Sequence, residues 1–362
     1  MAVGATKNRR VILRRRPVGI LAPEDTEVVT EAVPEIADGQ ALVQTVLLAM
    51  DPVTRIILAH DIGVVPPVKL GEPLRGFGSG IVVASRSGEF PHGAKVAGFF
   101  EWCDFQLVMK GSSVQVLPEG ISLDAALNVY GHTAMAAYFG LLDVGRPEAG
   151  QTVLVSGAAG AVGSVAGQIA AIKGCRVIGI AGGPSKCRWI VEELGFHATI
   201  DHRNERVDER LKTLCPTGVD LFFDNVGGTL LNTVLQHLAA RGRVVICGAS
   251  SQYTGTAPPD ILKGAGERVA GQAPMTSFNA MDYAARFPEA AREMRSWEAE
   301  GRLKLHQMML SGLEQAPKGL NMLFTGASMG RVLVSVAAET AHENAVIRSE
   351  RCGTYYPTSP LH

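Results

Sequence analysis

Hydrophobic and polar positions divide the chain into a β-rich beginning, a strand–helix middle and a shorter β-containing end. In residues 1–125, short apolar runs are separated by Pro, Gly and Asp turns, which is the pattern of short strands. The segment Leu123–Leu142 is rich in Ala and has a helical period. From residue 150 onward, apolar strands alternate with helices, and this alternation is typical of a parallel, doubly wound α/β sheet.

The periodicity also predicts individual elements beyond residue 150. The predicted strands are Thr152–Ser156, Arg176–Ile180, Leu221–Asp224, Gly242–Cys247, Leu303–Met309 and Arg331–Val336, and the predicted helices include Gly228–Leu238, Phe287–Glu300 and Leu313–Phe324. Because β-rich segments lie on both sides of the alternating region, we expect the outer segments to form one domain together. Residues 341–362 lack periodicity, so we predict a mobile tail there.

The turn after the first of these strands carries a glycine motif. Thr152–Ser156 runs into Gly157-Ala-Ala-Gly160-Ala-Val-Gly163, and a helix follows. The glycines allow a sharp turn and a close approach to a pyrophosphate, and the helix N-terminus offers unpaired N–H groups. Between a strand and a helix, this motif predicts a dinucleotide site rather than a coincidental Gly-rich turn.

The end of the second strand indicates which dinucleotide is bound. NAD-binding units place Asp or Glu about 20 residues past the glycines, where it holds the ribose 2′-hydroxyl. The corresponding segment here, Ala181–Lys186, contains no acid, and instead offers the space at Gly182 and the cation of Lys186. This arrangement favours NADPH, and the alternative is that Lys186 is a solvated residue at a helix start.

Length, charge and cysteine usage exclude several classes of protein. The 362 residues suffice for two domains, and 34 basic against 35 acidic residues give no attraction to nucleic acid or membranes. The basic start lacks the apolar core of a signal peptide, and no stretch reaches the roughly 18 uninterrupted apolar residues of a membrane span. Six scattered cysteines without a Cys-x-x-Cys pair are typical of reduced thiols. We therefore expect a cytoplasmic protein without a metal.

Motifs distributed along the chain give it a family resemblance. They are Asn8-Arg9 with Arg15-Arg16-Pro17-Val18-Gly19, Met50-Asp51-Pro52, the run Ala158–Gly167, Phe223-Asp224-Asn225-Val226-Gly227-Gly228, Cys247-Gly248-Ala249-Ser250, Gly312-Leu313-Glu314-Gln315-Ala316-Pro317 and Thr325-Gly326 through Gly330. Over residues 8–337 the chain resembles the medium-chain dehydrogenase/reductase superfamily. Within it, the chain is most similar to the zinc-free, NADPH-dependent alkenal/one reductases, which include leukotriene B4 dehydrogenase/prostaglandin reductase and curcumin reductase.

The resemblance implies a fold and a domain organisation. A Rossmann sheet is expected to be inserted in a GroES-like, β-rich catalytic domain. Residues 1–125 plus 303–340 would form the substrate and catalytic domain, and residues 126–302 the NADPH-binding domain. A homodimer is also what the family implies.

The resemblance further assigns the cofactor contacts. The pyrophosphate would contact the turn of Gly160, Ala161, Val162, Gly163 and Ser164, and the 2′-phosphate would contact Gly182, Lys186 and His202. Asn225 would contact the nicotinamide half, and the nicotinamide ribose would lie against the loop of Cys247, Gly248, Ala249, Ser250 and Tyr253, here called the ribose loop. Phe278, Asn279 and Ala280 would flank the nicotinamide ring, and Ser328 completes the set. His202 stands where the family often has Tyr, and Ser328 where it often has Asn. The alternatives are a solvent-facing loop histidine at His202 and a helix cap at Asn225.

The zinc motif of alcohol dehydrogenases in this superfamily is absent. The corresponding regions are Gly76-Phe77-Gly78 and Met50-Asp51-Pro52, neither with a suitable ligand set. The expected chemistry is metal-free hydride transfer from NADPH to the β-carbon of a small apolar enone or enal. The open alternatives are an NADPH:quinone oxidoreductase and a cofactor-binding protein with little catalysis.

Tyr253 is the predicted catalytic residue. It lies in the loop that matches the family's active-site tyrosine loop, where its phenol could donate a hydrogen bond or a proton. The alternative is that it anchors the Cys247–Gly255 loop. Where family members often have Asp-Pro-Tyr, this chain has Asp51-Pro52-Val53, so the pocket loses a phenol and becomes more apolar. Water is the other candidate proton donor.

Overall fold

The described residues of this computed structural model, 7–61, 65–256 and 274–337, divide into two compact units. Of the described residues, the first unit comprises 7–61, 65–128, 308–323 and 332–337, and the second comprises 129–256, 274–307 and 324–331. The tail predicted for residues 341–362 lies outside the described residues. The assignment of substrate and cofactor roles to the two predicted domains stays a prediction.

The strands of the described residues are, in chain order, β1 Lys7–Leu13, β2 Thr26–Ala32, β3 Gln40–Ala49, β4 Arg75–Ser85, β5 Lys95–Glu101, β6 Phe105–Met109, β7 Val114–Val116, β8 Thr152–Ser156, β9 Arg176–Ala181, β10 Ala198–Asp201, β11 Val219–Asp224, β12 Leu238–Ile246, β13 Met275–Ser277, β14 Gln307–Ser311 and β15 Arg331–Ser335. The helices are α1 Pro52–Ile57, α2 Leu123–Leu127, α3 His132–Phe139, α4 Ala161–Ile172, α5 Pro184–Glu192, α6 Val207–Leu214, α7 Gly228–Leu235, α8 Phe287–Ala299 and α9 Ala316–Thr325.

The first unit is built on a mixed sheet with the strand order β14-β15-β3-β4-β5-β7, in which β6 pairs with β3. Strands β3, β4 and β5 pair antiparallel, and β1 and β2 form a separate antiparallel pair. One face of this sheet packs on α2 through a core that includes Val46, Ala97, Leu127 and Leu333. The central strand β3 is buried along most of its length.

The second unit is a parallel sheet with the strand order β10-β9-β8-β11-β12-β13. Relative to the chain this is the order 3-2-1-4-5-6 of the Rossmann fold. Strand β8 is buried along its whole length, because helices cover both faces of such a sheet. The predicted α/β fold class, a Rossmann sheet with a separate β-rich sheet, is confirmed. The strand order reverses between β8 and β11, and ligands of such sheets bind at this switch point.

Several predicted element boundaries were wrong. The helix predicted over Gly228–Leu238 ends at Leu235, because β12 already begins at Leu238. The strand predicted from Leu303 begins at Gln307. Leu303 is buried, and the neighbouring Lys304 is hydrogen-bonded through both backbone groups to the Gln168 side chain of α4. These contacts use the backbone groups that a strand would need.

Candidate functional site

The pyrophosphate turn lies at the carboxyl end of β8, beside the switch point. Gly157 has φ +57°, and the N–H of Gly160 closes the turn on the Gly157 carbonyl at 2.9 Å. Helix α4 then begins at Ala161, so its first N–H groups have no partner within the helix. A Cβ on Gly163 would lie 2.4 Å from the Gly157 oxygen, so only glycine allows the helix to pack this closely. The geometry fits a pyrophosphate at a helix N-terminus.

Side-chain burial differs among the predicted pyrophosphate residues. Gly160, Ala161 and Val162 are partly exposed, whereas Gly163 and Ser164 are buried. The backbone of the turn is therefore the surface available to a ligand. A direct contact from the Ser164 hydroxyl stays a prediction.

A buried carboxylate, Asp224, organises the neighbouring turn after β11. Its Oδ1 accepts a hydrogen bond from the Ser156 hydroxyl at 2.6 Å, and its two oxygens accept the N–H groups of Val226 and Gly227 at 3.0 Å each. Burial raises the pKa of Asp224, and the hydrogen bonds from Ser156 and the backbone oppose this rise. The end of β11 is thereby held beside the end of β8.

Asn225 follows this carboxylate, and its side chain turns back to β8. Its Nδ2 donates to the Ser156 carbonyl at 2.7 Å, which fixes the orientation of the side-chain amide. The N-cap of α7 is Gly227, and this cap makes no side-chain hydrogen bond. The helix-cap alternative for Asn225 is therefore wrong, while its contact to the nicotinamide half stays a prediction.

The ribose loop predicted over 247–253 is hydrogen-bonded to the turn after β11. Backbone N–H groups of Cys247 and Gly248 donate to the Asp224 carbonyl, and that of Ser250 donates to the Asn225 carbonyl at 3.1 Å. Burial raises the pKa of the Cys247 thiol to about 12, so this cysteine is a neutral packing residue. The structure thus brings this predicted loop together with Asn225.

The Tyr253 phenol lies within its own loop. Its oxygen accepts the N–H of Ala249 at 3.0 Å, and only 8% of the residue is exposed. Burial is the main cause that raises the pKa of Tyr253, so the phenol stays protonated at neutral pH. This geometry supports the anchoring role weighed from the sequence. The catalytic role stays a prediction, since the hydroxyl hydrogen can still be donated.

The segment predicted to flank the nicotinamide follows β13, which pairs in parallel with β12. The Phe278 ring packs so closely on Gly140 that a Cβ there would lie 2.3 Å from its Cζ. Asn279 caps the next helical turn by accepting the Met281 N–H at 3.1 Å, and Ala280 is buried. The cofactor contacts of all three residues stay predictions.

Basic side chains gather around Gly182, one strand away from the pyrophosphate turn. A Cβ on Gly182 would lie 2.9 Å from Nε2 of His202 and 3.0 Å from Nε of Arg203. Lys186 lies in the first turn of α5, and its pKa is lowered by burial and by the charge of Arg203. His202 is exposed, as in the solvent-facing alternative, and partial burial together with the same arginine lowers its pKa. A phosphate would relieve the repulsion between these cations, so the residues present fit a 2′-phosphate.

The carboxylate of Asp201, beside this cluster, is occupied by other donors. Asp201 accepts the N–H groups of Gly183 at 2.8 Å and Arg203 at 3.1 Å, and the side chain of Asn204 at 2.7 Å. Burial alone would raise the pKa of Asp201, but these hydrogen bonds hold it below its usual value. Asp201 therefore shapes the loop, and in the described part of the chain neither Lys186 nor Arg203 has an ion pair with a carboxylate.

Arg203 is the residue that the sequence analysis missed. The resemblance points to His202, where the family often has Tyr, and the predicted 2′-phosphate site does not include the residue that follows it. A second basic residue directly after it, in the loop that follows a parallel strand, is a signal that could have found Arg203.

Ser328 lies in a loop held against the pyrophosphate turn. The N–H of Gly330 donates to the Ala159 carbonyl at 2.8 Å, and Gly330 forms a β-bridge with Gly160. Ser328 itself is buried. The structure places this loop beside the predicted pyrophosphate residues, and a direct cofactor contact by Ser328 stays a prediction.

In the first unit, the Asp51-Pro52-Val53 segment joins β3 to α1. Val53 is half-buried, and the following Arg55 is completely buried, where it donates to the carbonyls of Gly19 at 2.8 Å and Pro17 at 3.0 Å. Arg55 thus joins two of the family-like motifs.

Within residues 7–61, 65–256 and 274–337, no three His, Cys, Asp or Glu side chains form a group that could hold a metal ion.

Comparison with known proteins identifies the family. Residues 9–117 match the family described as the N-terminal domain of oxidoreductase, and residues 161–289 match the family described as zinc-binding dehydrogenase. The NADPH-dependent curcumin reductase of Escherichia coli (strain K12) is 34% identical, over 92% of this chain and 98% of its own length. Prostaglandin reductase 1 of Rattus norvegicus is 31% identical, over 89% and 97%.

A solved structure extends the likeness to three dimensions. CurA from Vibrio vulnificus, in complex with NADPH, has a TM-score of 0.83 and 34% sequence identity, covering 91% of this chain and 99% of that one. The chain therefore belongs to the medium-chain dehydrogenase/reductase superfamily, in the zinc-independent NADPH-dependent subfamily that includes curcumin reductase and prostaglandin reductase.

Proposed function

We propose that this protein uses NADPH to reduce the C=C bond of α,β-unsaturated ketones or aldehydes, with hydride transfer to the β-carbon. The observation that carries the proposal is the joint presence of a pyrophosphate turn at the switch point and a basic cluster at Gly182. This is the arrangement that NADPH requires, in a chain similar to curcumin reductase over nearly its whole length.

The bound cofactor would supply the hydride, and the chain would supply binding and orientation. The backbone of the turn from Gly160 to Gly163 would hold the pyrophosphate. Lys186 and His202 would hold the 2′-phosphate by charge-assisted hydrogen bonds, which are roughly twice as strong as neutral ones. Oδ1 of Asn225 would accept a hydrogen bond at the nicotinamide end.

The substrate requires a donor for its carbonyl oxygen. Attack at the β-carbon moves negative charge onto that oxygen, and a donor placed there lowers the barrier. The Val53 side chain has no hydrogen-bond donor, so Tyr253 is the proposed protein donor. Because its oxygen accepts the N–H of Ala249, its O–H is directed away from Ala249. Because its pKa is raised by burial, a full proton transfer would leave an unfavourable buried phenolate. Water is therefore the proposed source of the proton for the α-carbon.

The proposed setting is a homodimer in the cytoplasm. In the described part of the chain the cysteines Cys103, Cys175, Cys187, Cys215 and Cys247 are unpaired, which fits a reducing compartment. No helix among the described residues is long and apolar enough to cross a membrane. The nearly balanced charge supports a small molecule, rather than nucleic acid, as the partner.

The substrate class is tested by steady-state kinetics with NADPH and a panel of enones, enals and quinones. We expect kcat/KM for the best enone to exceed that for the best quinone by about tenfold or more, since the proposed site orients the β-carbon of an enone, rather than a quinone ring, toward the nicotinamide. A large preference for quinones would contradict the proposal. Tight NADPH binding without oxidation by any acceptor would instead identify a cofactor-binding protein.

Replacement of Lys186 by Ala tests the 2′-phosphate assignment. The Kd for NADPH should rise about 10- to 100-fold, the amount expected when a hydrogen bond to a charged group is lost, while the Kd for NADH should change little. Isothermal titration calorimetry with both cofactors measures this difference. Arg188→Ala, an exposed basic residue on the same helix, is the control. Equal weakening of NADPH and NADH would remove Lys186 from the 2′-phosphate site.

Replacement of Tyr253 by Phe tests the catalytic assignment, since it removes only the hydroxyl. If the hydroxyl stabilises the developing charge, kcat for C=C reduction should fall about 100-fold, with the Kd for NADPH nearly unchanged. Tyr283→Phe, which likewise removes only the hydroxyl and keeps the ring stacked on Phe139, serves as the control. A kcat equal to that of the unaltered protein from pH 6 to 9 would leave Tyr253 with the anchoring role alone.

A further inference from the structure

Arg203 spans two segments that the cofactor is proposed to contact. At one end of its side chain, Nε would lie 3.0 Å from a Cβ built on Gly182. At the other end, Nη2 donates to the Thr325 carbonyl at 2.8 Å, across 122 residues of sequence. The guanidinium thus reaches from the loop after β9 to the loop that begins at Thr325.

The second of these segments is shaped to receive the guanidinium. Gly326 has φ +74°, and a Cβ on it would lie 2.3 Å from Nη2 of Arg203. A residue with a side chain would therefore push the guanidinium away from the Thr325 carbonyl. The absence of a Cβ at Gly326 is what permits the contact.

The same loop is held at its other end against the pyrophosphate turn. Gly330 donates its N–H to the Ala159 carbonyl, and the buried Ser328 lies between the two attachment points. The loop from Thr325 to Gly330 therefore has one attachment beside the basic cluster and one beside the pyrophosphate turn.

The backbone of Arg203 is held by hydrogen bonds, which fix the position of its Cα. Its N–H donates to Oδ1 of Asp201, the same oxygen that accepts the N–H of Gly183. A guanidinium has five N–H donors in one plane, so the contact to Thr325 leaves further donors for a phosphate. Lysine, with a single ammonium group, cannot serve both partners in the same geometry.

We propose that Arg203 is a positioning residue that couples occupancy of the 2′-phosphate site to the order of the 325–330 loop. The inference rests on the proposed NADPH function. A phosphate bound at Lys186 and His202 fixes the guanidinium, and the guanidinium in turn fixes the Thr325 carbonyl and the loop that carries Ser328. NADPH is then distinguished from NADH by an ordered loop as well as by a phosphate contact.

Hydrogen–deuterium exchange with 2′,5′-ADP as the probe tests this coupling, because the probe has the 2′-phosphate and no nicotinamide. In the unaltered protein, saturating 2′,5′-ADP should slow exchange of the Gly330 amide and of the peptide covering 326–330 by about tenfold, the effect of one charged hydrogen bond. In Arg203→Lys, 2′,5′-ADP should still bind, with this protection lost. Arg206→Lys, an exposed arginine paired with Glu209, should behave like the unaltered protein.

Gly326→Ala is the second variant, since it obstructs the contact from the loop side. It should bind 2′,5′-ADP and lose the same protection, as Arg203→Lys does. Equal protection in Arg203→Lys and the unaltered protein, or probe binding without protection in the unaltered protein, would overturn the coupling and leave the proposed function standing. Failure of the unaltered protein to bind 2′,5′-ADP at all, measured by calorimetry, would overturn both.

Discussion

The buried hydrogen bonds of Asp224 are the interaction on which the site depends. A carboxylate without a cation partner can remain in the interior only if donors satisfy its oxygens, and here the Ser156 hydroxyl and two backbone N–H groups do so. These bonds join the ends of β8 and β11 at the switch point of the sheet. They fix the turn that carries Asn225, and the backbone carbonyl of Asp224 accepts from the start of the ribose loop.

From this point the proposed cofactor contacts extend in two directions along the carboxyl ends of the strands. Toward β12 and β13 lie the ribose loop and Phe278. Toward β9 and β10 lie the pyrophosphate turn and the basic cluster around Gly182. In this proposal, the backbone of the turn would bind the pyrophosphate and the positive charges near Gly182 would bind the 2′-phosphate. The proposed substrate end has Tyr253 as its one proposed protein donor, so stabilisation of the developing charge there would come from few groups.

Much of the fold could be predicted from the sequence because the signals are local. The strand Thr152–Ser156 and the start of α8 at Phe287 were predicted at their observed positions, since a continuous apolar run and a Pro-containing helix start are set by neighbouring residues. The strand predicted from Leu303 was displaced because a distant partner, Gln168, binds the backbone of Lys304. In the candidate site, the glycine turn before α4 and the place of Lys186 at a helix start could be predicted from sequence spacing, while their cofactor contacts stay predictions. The contact of Arg203 with Thr325 could not, and neither could the direction of the Asn225 amide or of the Tyr253 hydroxyl, because these depend on three-dimensional neighbours.

The central claim, hydride transfer to the β-carbon of an enone, is tested most directly by following a label. NADPH deuterated at C4, prepared separately as the R and the S isomer, is incubated with the protein and an apolar enone, and the product is analysed by NMR. The account predicts deuterium at the β-carbon of a saturated ketone from one of the two isomers. Deuterium on the carbonyl carbon, giving an allylic alcohol, would contradict it.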